Sequence, residues 1–333
     1  MKDDALAPVI AVMLILAAIV TFLSIYNAIY IPSMKESSEV EHLQNVESAF
    51  QHFSSDIDYA ASSHQNHLTF SEPVQLGGGD FMFNLLRSSG TLSVVQDRNT
   101  SRMCENTIYN TIILNSTGSI IGALNDTLIN FSYEPISNFW QDQGYTWQYG
   151  YLNVTKYGTL STPLQYTNMS AVENATESGS LATFAESLAG VTYTMDQTEY
   201  PVYSPNSTNP SSYALSGNCS GLNLWAVNIT ADPDHSFISS NGYGTLKLTS
   251  NITSTSFSYL VTDILFQSDQ EPFGDMTIGN LYNESFANVM CGNIKPNKTA
   301  YNPPLNQFGY QIDQSVSPVN VTLNIVEIQV EAY

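Results

Sequence analysis

Residues Ala5–Met34 read ALAPVIAVMLILAAIVTFLSIYNAIYIPSM and carry no charged side chain. Only Met1-Lys2-Asp3-Asp4 precede them. A helix of about 20 apolar residues spans a bilayer. Leu6 to Ile31 would extend roughly 39 Å at 1.5 Å per residue. That exceeds the hydrocarbon core, so the span tilts or one end emerges. Tyr26 and Tyr30 lie near the exit, where amphipathic rings prefer the interface. A cleaved secretory signal fits less well. Its apolar region would be shorter, its start more basic, and a small-x-small site would follow. Here Asp3 and Asp4 outnumber Lys2, and no convincing A-x-A site appears.

Pro8 bears on where the helix starts. In mid-helix a proline costs about 3 kcal/mol, because it lacks an N–H and clashes with the preceding turn. In the first turn it costs almost nothing. The segment Asp3-Asp4-Ala5-Leu6-Ala7-Pro8-Val9-Ile10-Ala11-Val12-Met13-Leu14 resembles the N-terminus of archaeal type IV pilin-like proteins. Their pattern is a short charged leader, a small residue, then x-S-P-V-I-G-V and an apolar helix. Ala7 stands where Ser is usual and Ala11 where Gly is usual. The close resemblance covers about 30 residues. It implies a class III signal peptide, cut by a prepilin peptidase between Ala5 and Leu6. It also implies a mature helix that leaves the membrane to pack in a filament core.

Beyond Pro32 the apolar positions Val40, Leu43, Val46, Phe50, Phe53, Ile57 and Ala60 fall at steps of three and four. That spacing defines one helical face. Lys35, Glu36, Glu39, Glu41 and Glu47 are expected on the wet face. Ser33 or Ser37 would cap this stretch, with Pro32 marking a kink or short break. The chain therefore divides into a leader at 1–5, a transmembrane or pilin-core helix with its amphipathic extension at 6–65, and an extracellular head at 66–333.

The head reads as mainly β. Alternating or β-branched runs occur at Thr91–Gln96, Thr107–Leu114, Ser119–Leu124, Leu152–Lys156, Thr245–Leu248, Phe257–Phe266 and Val319–Val330. Asn115-Ser116-Thr117-Gly118 reads as a hairpin loop. Gly77-Gly78-Gly79 and Ser88-Ser89-Gly90 read as turn signals. Met169–Leu188 has a helical pattern. The expected fold is α+β: a long N-terminal helix, then a sandwich-like head with one helical insertion. A sub-boundary falls near 201–212.

The chain has 9 basic and 30 acidic residues and a net charge of −21. Such a surface repels nucleic acid. N-x-Ser/Thr sequons begin at Asn99, Asn115, Asn125, Asn130, Asn153, Asn168, Asn174, Asn206, Asn218, Asn228, Asn251, Asn283, Asn297 and Asn320. All fall in the head, as expected for an exported, N-glycosylated surface. Cys104, Cys219 and Cys291 allow one disulfide and leave one cysteine over.

No HExxH, GxSxG, P-loop or EF-hand pattern is present, so no catalytic residue and no cofactor is assigned. His64 and His67 form an H-x-x-H without the glutamate or cysteine that would make a zinc set, so no metal is assigned. Asp232-Pro233-Asp234 and Asp269–Asp275 read as solvated acidic turns, because spacing alone offers calcium too few oxygens. Asn138–Tyr151, NFWQDQGYTWQYGY, reads first as a strand interior. Glycan stacking on Trp140, Tyr145, Trp147 and Tyr149 is the alternative. The expected role is a structural or adhesive surface subunit, not an enzyme. Its partners would be membrane lipid, prepilin peptidase, like subunits and surface glycans. A single-pass anchored binding protein or enzyme without a filament role is the second reading.

Overall fold

The computed structural model of the chain describes residues 6–77, 88–96, 109–126, 129–137, 142–148, 150–157, 159–163, 189–195, 218–258, 260–268, 292–296 and 307–333. It opens with one long helix made of three consecutive parts. Helix α1 (Leu6–Ile25) passes into a single π-helical segment, Tyr26–Tyr30, and then into α2 (Ile31–Ser62). Pro8 is the third described residue of α1. Of the expected kink or short break at Pro32 the break is absent: the helix continues through it, directly after the π segment. The π segment widens the coil by one residue just before it, and Ile31 donates its N–H to the Tyr26 carbonyl. An i→i−5 turn of this kind accommodates a proline that cannot donate to the preceding turn. No side chain of Ser33 or Ser37 caps α2, because α2 starts as a continuation rather than at a free end.

The described residues of the head form β1 (Thr69–Gln75), β2 (Ser89–Gln96), β3 (Tyr109–Asn115), β4 (Ile120–Asp126), β5 (Ile129–Ser137), β6 (Gln143–Gln148), β7 (Tyr151–Lys156), β8 (Thr159–Pro163), β9 (Ala189–Met195), β10 (Cys219–Ser240), β11 (Tyr243–Ser258), β12 (Val261–Ser268), β13 (Ile294–Pro296), β14 (Gln307–Ile312) and β15 (Asn320–Ala332). The larger sheet runs β1-β11-β15-β10-β2-β5-β6-β7-β8, with β9 also on β10. The smaller runs β13-β14-β12-β3-β4. The fold is thus one long helix followed by a β-rich head.

Strand β10 joins two parts of the larger sheet. Its first half pairs in parallel with β15, and its last four residues pair antiparallel with β2. The register shifts between Ala231 and Ser236. Pro233 lies in that interval and cannot donate to a ladder, so the strand bulges there and changes neighbours. The C-terminal strand β15 lies between β10 and β11, which follow each other in sequence. The alternating run at Val319–Val330 is therefore a central strand, and that explains its apolar density.

The second half of α2 is seated on the larger sheet. Leu43, Val46, Phe50, Phe53, Ile57 and Ala60 are all buried, as their spacing predicts. Phe131 of β5 meets Phe50 edge-on at 4.9 Å and Phe53 at 5.3 Å, and lies flat on Trp147 at 4.8 Å. Each such ring contributes roughly 1.5–3 kcal/mol by leaving water. The face is rotated from expectation at its start. Val40 is exposed, while Glu39 and His42 are buried. His42 Nε2 lies 2.7 Å from the Gln75 carbonyl and its ring meets Tyr133 edge-on. Burial holds the His42 imidazole below its usual range.

The Asn115–Gly118 loop is a hairpin turn as read. Gly118 takes φ +74°, and the Asn115 side chain accepts from the Thr117 and Ser119 amides. Ser88-Ser89-Gly90 is not a turn. Ser89 and Gly90 begin β2, and the Tyr133 ring packs where a Cβ on Gly90 would stand. The Phe257–Phe266 run divides between the end of β11 and β12. One apolar core links α2 with both sheets. The expected helix at Met169–Leu188 and the sub-boundary at 201–212 lie outside the described residues.

Candidate functional site

Two surfaces stand out. The first is α1. No charged residue interrupts it, and the apolar side chains from Val9 to Ile25 are exposed on every side. Met13 and Leu14 are each 66 % exposed and Phe22 is 69 % exposed. Apolar surface on this scale marks contact with a membrane or another protein, because water alone would not tolerate it. The helix is long and apolar enough to cross a membrane. Its 20 residues alone reach roughly 30 Å, the thickness of a hydrocarbon core. Phe22, Tyr26 and Tyr30 stack in succession, 6.5 and 5.8 Å apart, at the end nearer the head. An aromatic column there suits a membrane–water boundary.

The second surface is a groove of about 640 Å³ on the larger sheet. Its floor follows from register. Asn228 of β10, Glu327 of β15 and Asn251 of β11 are direct cross-strand neighbours. So are Thr230, Gln329, Thr249 and Thr69 in the next rank. With a side-chain period of two, these ranks share one face. His67 and Leu68 form the rim. His67 adopts φ +59°, and its N–H reaches both the Ser250 carbonyl and Asn66 Oδ1 at 3.0 Å. Gln329 of the groove donates to Asp232 at 3.1 Å, and beyond the groove Lys247 pairs with Glu331 at 3.0 Å.

The expected site residues distribute as follows. Tyr145 and Trp147 are buried beneath α2, and the Trp147 indole donates to Ser54 Oγ at 2.7 Å. Burial pushes the Tyr145 hydroxyl up to about 12. Neither ring is available to stack on a sugar, so the packing reading holds for both. Trp140 and Tyr149 lie outside the described residues. His64 does not join His67 in a metal set. It stacks on Trp225 at 3.9 Å, and both histidines sit at positive φ where the chain leaves α2. Among the described residues no group of three or more His, Cys, Asp or Glu could hold a metal ion. Asp232 folds back to accept the Asp234 amide at 2.8 Å.

The sequons separate by burial. Asn251 and Asn320 are exposed; Asn115, Asn130, Asn218 and Asn228 are partly buried. Asn153 is buried, 4 % exposed, in β7. A glycan has no room there in the folded head, and that candidate is withdrawn. Asn125 lies in β4. Asn99, Asn168, Asn174, Asn206, Asn283 and Asn297 lie outside the described residues, as do Ala5 and the segment 269–275. Cys219 is disulfide-bonded, and its neighbour Asn293 brackets its backbone with two hydrogen bonds of 2.8 and 2.9 Å.

The groove was not legible in the sequence, because its residues come from four strands with crossed order. The one available signal was the pairing of two sequons with polar residues at matching alternation. Against known proteins, no family model, no curated protein and no solved structure matches this chain.

Proposed function

We propose that this chain is an archaeal type IV pilin-like surface protein, a structural or adhesive subunit held by its N-terminal helix with the head outside the cell. One observation carries the reading. A single helix from Leu6 to Ser62 is apolar and uncovered in its first part and buried in the head in its second. Such a helix fixes the head rigidly to whatever surrounds α1. In the membrane that is lipid. In a filament it is the α1 of like subunits, and helix packing replaces lipid contact without changing the fold. Prepilin peptidase would cut between Ala5 and Leu6 and free the subunit for that exchange. The sequons then place sugars on the outer surface.

The test is mass spectrometry of the N-terminus of the protein from its native cell. A mature start at Leu6 is expected. An intact Met1 or Lys2 overturns the assignment. The groove favours a second reading, a membrane-anchored binding protein without a filament role. Negative-stain microscopy of surface filaments with an antibody to the head separates the two.

A further inference from the structure

The groove on the larger sheet has a ligand chemistry of its own. At about 640 Å³ it is in the size range of small-molecule sites. Its lining is unlike that of an apolar pocket. Asn228, Asn251 and Gln329 each offer both donors and acceptors, Glu327 accepts only, and Thr69, Thr230 and Thr249 are hydroxyls. Leu68 is the one aliphatic side chain among the lining residues. No lysine or arginine lines it, so it does not suit a phosphate or another anion. It presents one carboxylate, fewer than calcium sites gather. A neutral, hydroxyl-rich ligand matches all of this, because each hydroxyl both donates and accepts.

A second observation points the same way. Glu327 stands in register between Asn228 on one side and Asn251 on the other. Both asparagines open N-x-Thr sequons. Strands lie about 4.8 Å apart, so the two amides stand roughly 10 Å apart across Glu327. Asn251 and Thr253 are both exposed, so this sequon is accessible in the folded head. A sugar attached to Asn251 starts at the edge of a groove whose floor is amide, carboxylate and hydroxyl.

We propose that the groove formed by Asn228, Thr230, Thr249, Asn251, Glu327 and Gln329 is a saccharide seat. Its occupant is either the chain's own N-linked glycan on Asn251 or an oligosaccharide taken from outside. The chemistry is shared, and the experiment tells the sources apart. It does not depend on cleavage at Leu6 or on filament formation, so it can fail while the pilin-like reading stands, and the reverse.

Two arms test it on the full chain. Glycopeptide mapping of protein from native cells reads occupancy at Asn251 and Asn228. Thr253→Ala is the control, since it removes the sequon and keeps the Asn251 amide. The paired variant Glu327→Ala with Gln329→Ala then removes two side chains from the middle of the seat. If the glycan lies in the groove, enzymatic release from the folded protein is at least threefold faster in the paired variant than in the wild type. The second arm uses unglycosylated protein made in a bacterial host and held in detergent. It is titrated with neutral hexose and N-acetylhexosamine oligosaccharides of two to four sugars. Binding weakened at least tenfold by the same paired variant, with Asn251 bare in native cells, assigns the seat to an outside glycan. An occupied Asn251 whose release is unchanged in the variant overturns the proposal. So does a bare Asn251 with no binding of any oligosaccharide at millimolar concentration. Circular dichroism of each variant confirms that the sheet has formed.

Discussion

Trp147 donates its indole N–H to Ser54 Oγ at 2.7 Å, which ties hairpin β6–β7 to the helix that carries the apolar run. The contact joins the part of the chain that faces water to the part that leaves it. Trp147 also lies flat on Phe131, which meets Phe50 and Phe53. Truncating Trp147 to Ala is expected to cost about 3–5 kcal/mol, the range for a large buried ring. Trp147→Phe keeps the stack but drops the donor, and Ser54→Ala leaves the donor without this acceptor. Each is expected to cost about 1–2 kcal/mol. Urea unfolding of the full chain in detergent reads all three. Equal midpoints for Trp147→Ala and wild type would refute the seating of α2 on β6.

Asp58 faces a cavity of about 250 Å³ between α2 and hairpin β6–β7, lined by Phe50, Gln51, Ser54, Ser55, Trp147, Gly150 and Leu152. Its Oδ1 is buried without a hydrogen-bond partner, and burial raises the carboxyl to about 6. The sign follows from linkage. The folded state holds this proton more tightly than the unfolded state, whose carboxyl titrates near 3.8. Stability therefore falls as pH rises from about 4 to about 6 and is then level. Asp58→Asn removes the charge and should stabilise the protein by roughly 1–3 kcal/mol at pH 7, with the gain shrinking toward zero near pH 4. Comparing the two proteins cancels the other carboxylates. A gain that does not change with pH would show that the Asp58 charge is not the cause.

Asn293 is fully buried, and its side chain donates to the Cys219 and Ser317 carbonyls and accepts from the Cys219 N–H. Cys219 is disulfide-bonded. Cys291 precedes Asn293 by two residues, and two residues of chain reach at most about 7 Å. Proteolysis without reduction should therefore yield a peptide pair joining Cys219 to Cys291, with Cys104 free to react with a thiol reagent in denaturant. Recovery of a Cys104–Cys219 pair would refute this. Asn293→Ala should destabilise by about 1–3 kcal/mol, because it leaves the Cys219 amide buried without its acceptor.

The helix and the closing strand were readable because one periodicity decided each of them. Leu43, Val46, Phe50, Phe53 and Ile57 obey the 3.6 period, and Val321 to Val330 alternate until the centre of the sheet buries both faces. What failed was local and tertiary. Glu39 was expected wet, but α2 turns it toward the sheet together with His42, which meets the Gln75 carbonyl. Gly90 looked like a turn, but it is glycine because the Tyr133 ring occupies the space. Tyr145 and Trp147 are packed inside, yet nothing local revealed that their cover is α2. Strand β10 escaped notice because Asn223, Asn228, Asp232-Pro233-Asp234 and His235 interrupt it with turn-forming residues. The groove escaped with it, since it exists only once β15 lies between β10 and β11.

The choice between bilayer and filament for α1 turns on rotation about the helix axis. A lipid environment treats all sides of an apolar helix alike. A filament does not, since neighbouring helices interlock by ridges and grooves that belong to particular sides. The π segment Tyr26–Tyr30 sets the rotation of α1 relative to the head. Inserting one Ala after Tyr30 turns α1 by about 100°, whereas inserting four turns it by only about 40°. If α1 works in a filament, the single insertion should remove surface filaments while the four-residue insertion retains a fraction of them. Both should remain fully in the membrane fraction, because neither shortens the apolar run. Filament counts by negative stain and head quantitation in sheared and membrane fractions read the two effects separately. Equal filament yields for the single insertion and the wild type would leave α1 as an anchor whose orientation carries no information.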